Sequence, residues 1–180
     1  VRPREVWALE QVQGFIYVHV PVRALVVKLS TGLACYGAVA PTEQMLSLLE
    51  EIENETCKRL NVIILPTLAT EHKLFAIALA KRRPAAELWI APNQFSFPLN
   101  VPNDVLGLGK ARLLTDNAKP TWQNELAWTR VGPILSRDGT FEEILCVHKK
   151  SRTLLCCDLL VSVPEKVPQI VVENDPRALI

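Results

Sequence analysis

Residues 65–92 read LPTLATEHKLFAIALAKRRPAAELWIAP, and their reading decides the fold. The run Val62-Ile63-Ile64-Leu65 that leads into them is continuously apolar and mostly β-branched, the pattern of a strand covered on both faces. The loop TLATEH follows. Residues 71–82 then form an amphipathic helix, and residues 87–90 return as a short strand closing on Ala-Pro. Strand, helix and strand make a βαβ unit, and TLATEH stands at the carboxyl end of its buried strand, where α/β proteins place their chemistry.

Upstream, residues 5–9, 15–20, 23–29 and 33–37 read as strands rich in Val and Tyr, punctuated by Gly14, Pro21 and the turn Ser30-Thr31-Gly32. Thr42 is the expected N-cap of a helix whose Met45, Leu48, Leu49 and Ile52 form one buried stripe, with Glu43, Glu50, Glu51 and Lys58 on the solvated side. Downstream, residues 93–118 scatter Pro, Gly and Asn with little periodicity and predict a long excursion over one end of the sheet. Residues 142–148 and 153–160 read as antiparallel strands joined through Lys149-Lys150-Ser151-Arg152, and the tail after Pro164 reads as weakly structured. The sum is a mixed sheet with helices outside, an α/β domain.

The totals agree with one domain over residues 1–180, since a chain of 180 residues buries a sizeable core. Twenty basic against nineteen acidic residues leave a net charge of +1, which excludes the strong field expected of a nucleic-acid partner. Apolar runs such as LVVKL and LLVSV fall far short of the roughly 20 residues that cross a bilayer, so no transmembrane segment is expected. Five cysteines, Cys35, Cys57, Cys146, Cys156 and Cys157, make an odd count without CxxC spacing and predict reduced thiols. Asn54-Glu55-Thr56 matches a glycosylation sequon but falls in a helix and reads as chance. The first residue is Val1, the expectation for a processed chain.

The phrases LPTLATEHK, AELWIAPNQFSFPLNVP and HKKSRTLLCCDLLVSVP resemble the plant and cyanobacterial proteins grouped as domain of unknown function 4336, a divergent branch of the metallo-β-lactamase-like fold. The similarity extends from about residue 5 to residue 168. It implies an αββα sandwich, present here without its carboxyl-terminal part, and a metal loop of the form HxHxDH at TLATEH. It also implies that Asp158, in LLCCDLL, stands at the place of an aspartate that bridges two metals. Thr67 and Ala69 then occupy the two leading histidine positions, and neither is a credible zinc ligand. Between His72 and His148 there is no further histidine, so the next ligand is missing too. Glu71, His72 and Asp158 remain as a nitrogen and oxygen set for a single zinc, iron or manganese ion, against the reading in which they form a metal-free polar cluster and no cofactor is expected. In that cluster Glu71 serves the helix start, His72 bonds the loop, and Asp158, in an apolar strand, accepts backbone N–H groups or pairs with His72.

Three functions follow as expectations. The first is a non-catalytic, degenerate domain serving as a structural or assembly subunit of a larger complex. Relatives imply a chloroplast setting for it, with the cytoplasm as alternative, and association at the periphery of a membrane complex stays open. The second is a mononuclear metal-dependent hydrolase of an ester or phosphoester. The third is a small-ligand-binding protein using the vacant pocket beside Thr67 and Asp158. Trp89, Phe95, Phe97, Trp122 and Trp128 cluster in or beside the excursion; Trp89, Trp122 and Trp128 either roof the core or offer a binding interface. His148 reads as a turn residue and His19 as a half-buried strand residue. Pairing Cys146 or Cys157 with His148 lacks an orienting group, and Gly107-Leu108-Gly109-Lys110 lacks phosphate-loop spacing and reads as a turn.

Overall fold

The computed structural model describes residues 4–15, 18–96, 99–137 and 139–174. Strands β1 (Val6–Phe15) and β2 (Val18–Lys28) form one long antiparallel hairpin, from Val6 opposite Val27 to Phe15 opposite Val18. Residues 16–17 and the side chain of His19 lie outside the described residues. The two expected strands at 15–20 and 23–29 are thus one strand running through Pro21. The amide of Lys28 donates to Glu5 O at 2.9 Å, so that pair is hydrogen-bonded, and strict alternation makes Val12–Pro21 a non-hydrogen-bonded pair. A missing N–H breaks no ladder bond there.

Strand β3 (Leu33–Tyr36) pairs antiparallel with β2 and parallel with β4 (Leu60–Leu65), which pairs parallel with β5 (Glu87–Ile90). The excursion after β5 is more ordered than its composition suggests. It holds the short helix α3 (Asn103–Leu106) and β6 (Arg112–Leu113), which extends the sheet beside β5. The first sheet therefore runs β1-β2-β3-β4-β5-β6. A second, antiparallel sheet holds β7 (Leu126–Ser136), β8 (Gly139–His148) and β9 (Thr153–Leu155) in that order. The sequence reading passed over β7 because Gly132-Pro133 interrupts its pattern. Those two residues sit where its register against β8 shifts, the position at which a strand tolerates proline.

Helix α1 (Glu43–Thr56) begins as expected, with Thr42 Oγ1 accepting Met45 N–H at 3.2 Å. Its buried stripe is Met45, Leu46, Leu49 and Ile52, whereas Leu48 is half exposed beside a groove against β1. Helix α2 (Thr70–Arg82) is tied to α1 by Arg82–Glu43 at 2.9 Å and Arg83–Glu50 at 3.3 Å.

Period-two alternation explains the apolar run that opened the reading. Cys35, Ile63 and Leu65 face Leu49, Ile52, Ala76 and Leu79 of the helices, while Ala34, Tyr36, Val62 and Ile64 face Leu126, Ile144, Cys146 and Leu155 of the second sheet. Both faces of β4 are covered. Helix, sheet and sheet are the first three layers of an αββα sandwich, as the resemblance implies. The tail expected to be weakly structured contains α4 (Gln169–Asn174), packed against β1 and β2.

Candidate functional site

Two loops meet at the carboxyl ends of the strands. One leaves β4 as Pro66-Thr67-Leu68-Ala69 and enters α2; the other leaves β9 as Cys156-Cys157-Asp158. Ligand atoms of His72, Cys157 and Asp158 lie within 4.8 Å of one another. The strand expected to carry Asp158 ends at Leu155, so Asp158 stands on an exposed loop and not in an apolar strand. Burial is no longer a cost that Asp158 must offset.

Each member is held from behind. His72 is buried in the first turn of α2, and its Nδ1 lies 3.1 Å from Ala38 O. A carbonyl only accepts, so Nδ1 carries the hydrogen, and in the neutral ring the lone pair is on Nε2. Ala38 follows Gly37, whose φ of +66° is the left-handed region that favours glycine, and this turn at the end of β3 delivers the carbonyl to the imidazole. Asp158 Oδ2 accepts the hydroxyl of buried Thr67 at 2.6 Å, and Thr67 Oγ1 accepts Ala69 N–H at 3.3 Å. Gln94 Nε2 donates to Thr67 O at 3.0 Å and to Ala91 O at 3.2 Å, fastening the loop after β5 onto the site. Lys73 is buried next to His72, donates to Phe95 O and lies over the Phe95 ring at 5.0 Å; desolvation lowers its pKa.

Glu71 is not one of the three clustered donors. Consecutive helical residues point roughly 100° apart, so Glu71 and His72 address different directions. Its charge still reaches the site as the smallest of the influences that raise the Cys157 thiol, after burial and the neighbouring carboxylates Asp158 and Glu143. Cys157 takes the place expected for Glu71. The sequence reading weighed Cys157 only beside His148, and the structure brings it to His72. The thiols are free, as expected of a reduced chain; those of Cys35 and Cys146 are buried, and burial raises the Cys35 thiol to about 12.

Other expected residues move to the core. His148 is buried, not exposed at the turn, because it shares the inward face of β8 with Ile144 and Cys146; its Nδ1 lies 2.7 Å from Ser151 Oγ. Trp89 and Trp122 form an edge-to-face pair, centroids 5.9 Å apart, between the two sheets, and Trp128 is half buried against the same cluster. Trp89 and Trp122 are thus taken up by core packing, whereas Trp128 keeps part of its surface exposed. Phe97 lies outside the described residues.

Sequence reasoning also missed two carboxylates that the site region buries completely, Glu142 and Glu143 in the middle of β8. Glu142 accepts from Arg130 Nη1 at 3.2 Å and from Asn93 N–H at 3.2 Å. Glu143 accepts from the backbone amides of Cys157 at 2.6 Å, Asp158 at 2.8 Å and Leu159 at 2.7 Å. The amide-accepting role foreseen for Asp158 thus belongs to Glu143. Two adjacent glutamates leading into the apolar run of EEILCVH were the available signal.

A family model described as Domain of unknown function (DUF4336) matches residues 3–180. No curated protein matches the sequence. Among solved structures, the fold is similar to a metallo-β-lactamase from Hirschia baltica, with a TM-score of 0.59 and 13% identity over 86% of this chain and 67% of that one. It is also similar to one from Pontibacter korlensis, with a TM-score of 0.57 and 12% identity over 83% of this chain and 66% of that one. A third, from Pseudomonas aeruginosa in its mono-zinc form, has a TM-score of 0.52 and 13% identity over 81% of this chain and 62% of that one. The chain thus spans about two thirds of the length of these enzymes.

Proposed function

This chain belongs to the family described as Domain of unknown function (DUF4336), and from that premise we propose that it is a single-ion metalloprotein on a metallo-β-lactamase-like scaffold, its ion held by His72, Cys157 and Asp158. The observation that carries the reading is the convergence of three donors, each with a partner behind it. An imidazole nitrogen, a thiolate and a carboxylate suit zinc or iron better than manganese, because the sulfur is soft. Tetrahedral zinc sets its ligands roughly 3.5 Å apart, so a group spread over no more than 4.8 Å needs only a small side-chain contraction to close. Three protein ligands leave one position for water or substrate, the arrangement of catalytic rather than structural zinc. When bound, such an ion supplies Lewis acidity and an activated water for hydrolysis of an ester or phosphoester.

The chain's own residues do the positioning. Ala38 O fixes the His72 tautomer, Thr67 ties down one oxygen of Asp158, and the Cys157 thiol, hydrogen-bonded to Asp158, would give up its proton to hold an ion. Thr67 and Ala69 supply nothing for a second ion. The mono-zinc form among the similar structures is compatible with single occupancy of this scaffold.

A second reading, the metal-free assembly subunit in a chloroplast complex, is favoured by one observation: Thr67 already satisfies Asp158 Oδ2 without an ion. The small-ligand reading has less support. Cavities of about 470 Å³ between β1 and α1, and about 760 Å³ beside the end of α2, are lined by none of Thr67, His72 and Asp158. Metal content and hydrolysis of p-nitrophenyl acetate and bis-p-nitrophenyl phosphate separate the readings. The single-ion centre predicts stoichiometric zinc or iron, and chelator-sensitive turnover lost in His72→Ala. Protein that refuses zinc after reduction, yet co-purifies in a large assembly, supports the second reading.

A further inference from the structure

We infer that Glu143 is the positioning residue of this site, a fully buried carboxylate that sets the Cys157-Asp158 loop in place by receiving three consecutive backbone amides. The inference rests on the single-ion reading for its functional meaning and on separate geometry for its structural content. Glu143 is wholly buried, and no ion pair joins it to a cation among the described residues. Its two oxygens instead accept Cys157 N–H at 2.6 Å, Asp158 N–H at 2.8 Å and Leu159 N–H at 2.7 Å. Hydrogen bonds to a charged acceptor are shorter and about twice as strong as neutral ones, and here they hold a loop that left its strand at Leu155. A neutral side chain at this position would leave three donors facing an acceptor of reduced capacity.

The backbone of Glu143 is as constrained as its side chain. It forms an isolated antiparallel bridge with Thr67; Ile144 N–H donates to Pro66 O at 2.8 Å, and the buried Tyr36 hydroxyl donates to Ile144 O at 2.7 Å. One residue therefore joins the loop that follows β4, and leads into His72, to the loop that carries Cys157 and Asp158. The distance between the donors is set through this joint. Neighbouring Glu142 is buried to the same degree but serves Arg130 and Asn93, which makes it a built-in control.

The test compares the intact chain with Glu143→Gln, Glu143→Asp and Glu142→Gln. Zinc affinity is read by chelator competition, the cobalt-loaded protein by its thiolate-to-metal charge-transfer band, and the loop by mass-spectrometric iodoacetamide labelling of Cys157 in the metal-free protein. Glu143→Gln should bind zinc about 10–100-fold more weakly, weaken the cobalt–thiolate band and speed Cys157 labelling. Glu143→Asp should fall between it and the parent, and Glu142→Gln should match the parent in all three. Zinc affinity within twofold of the parent with an unchanged cobalt band, in folded Glu143→Gln, overturns the inference. If Glu143→Gln does not fold, unaltered affinity and labelling in Glu143→Asp overturn it. Should the parent bind no zinc, the single-ion reading fails by itself; faster labelling of Cys157 in Glu143→Gln then upholds the positioning role, and equal labelling sinks it.

Discussion

The two faces of the six-stranded sheet solve the burial problem differently. On the helix side, Cys35, Ile63 and Leu65 meet Leu49, Ile52, Ala76 and Leu79, an apolar layer in which volume and complementarity do the work. On the other side, where the second sheet closes over Tyr36 and Ile64, the packing is apolar in its centre but lined at its margin by buried polar groups: Thr67 and, on β8 alone, Glu142, Glu143 and His148. The helices also bury Glu53, His72 and Lys73, but the apolar layer between helices and sheet depends on shape, whereas the seam depends on specific hydrogen bonds. The candidate site lies at the seam's edge, where Thr67 and Glu143 hold the loop that carries Cys157 and Asp158.

Core truncation separates the two faces most strongly. Ile63→Ala, fully buried on the helix side, should cost about 2–5 kcal/mol in chemical denaturation while folded protein keeps its zinc stoichiometry. Zinc loss in the folded fraction would break the division, by coupling the helix face to the site. Tyr36→Phe removes a single seam hydrogen bond, from its hydroxyl to Ile144 O at 2.7 Å, and should cost about 0.5–1.5 kcal/mol. A larger loss accompanied by weakened zinc binding would show that Tyr36 also steadies Glu143. No change at all would mean that the seam is not built on such bonds.

The smallest effect is a slope with pH. Desolvation lowers the pKa of His148 below its ordinary value of 6.5, outweighing the opposing pull of Glu5 and Glu125. The unfolded chain then takes up a proton before the folded one does, so stability held above about 6.5 is lost as pH falls toward the folded value. Denaturation midpoints measured from pH 7 to 5 should fall less steeply in His148→Asn than in the parent. Equal slopes would show that His148 is not held neutral by the seam.

How much of this was readable beforehand follows the same division. The helix side was legible: α1 with its Thr42 cap, α2, β4 and β5 come from periodicities that act over a few residues. Val62-Ile63-Ile64-Leu65 announced a strand covered twice, though not what covered its second face. The seam was much less legible because its partners are far apart in the chain. Glu143 meets Thr67 and the amide of Leu159, and nothing local to EEILCVH says so. Gly132-Pro133 concealed β7, and an apolar stretch that looked like a continuing strand misplaced Asp158, which a bend over residues 157–159 puts on the exposed loop. Within the site, His72 and Asp158 were named from the resemblance, while Cys157 was weighed only beside His148 and set aside for want of an orienting group. The strand ends at Leu155, and the loop that follows brings Cys157 to His72 instead.

The central claim is met most directly by counting metal in the reduced, purified chain after zinc loading and removal of excess ion. The account predicts one zinc per chain, held tightly enough to survive desalting, and close to none in either His72→Ala or Cys157→Ala. Two ions per chain, or one ion that persists in both variants, would contradict it.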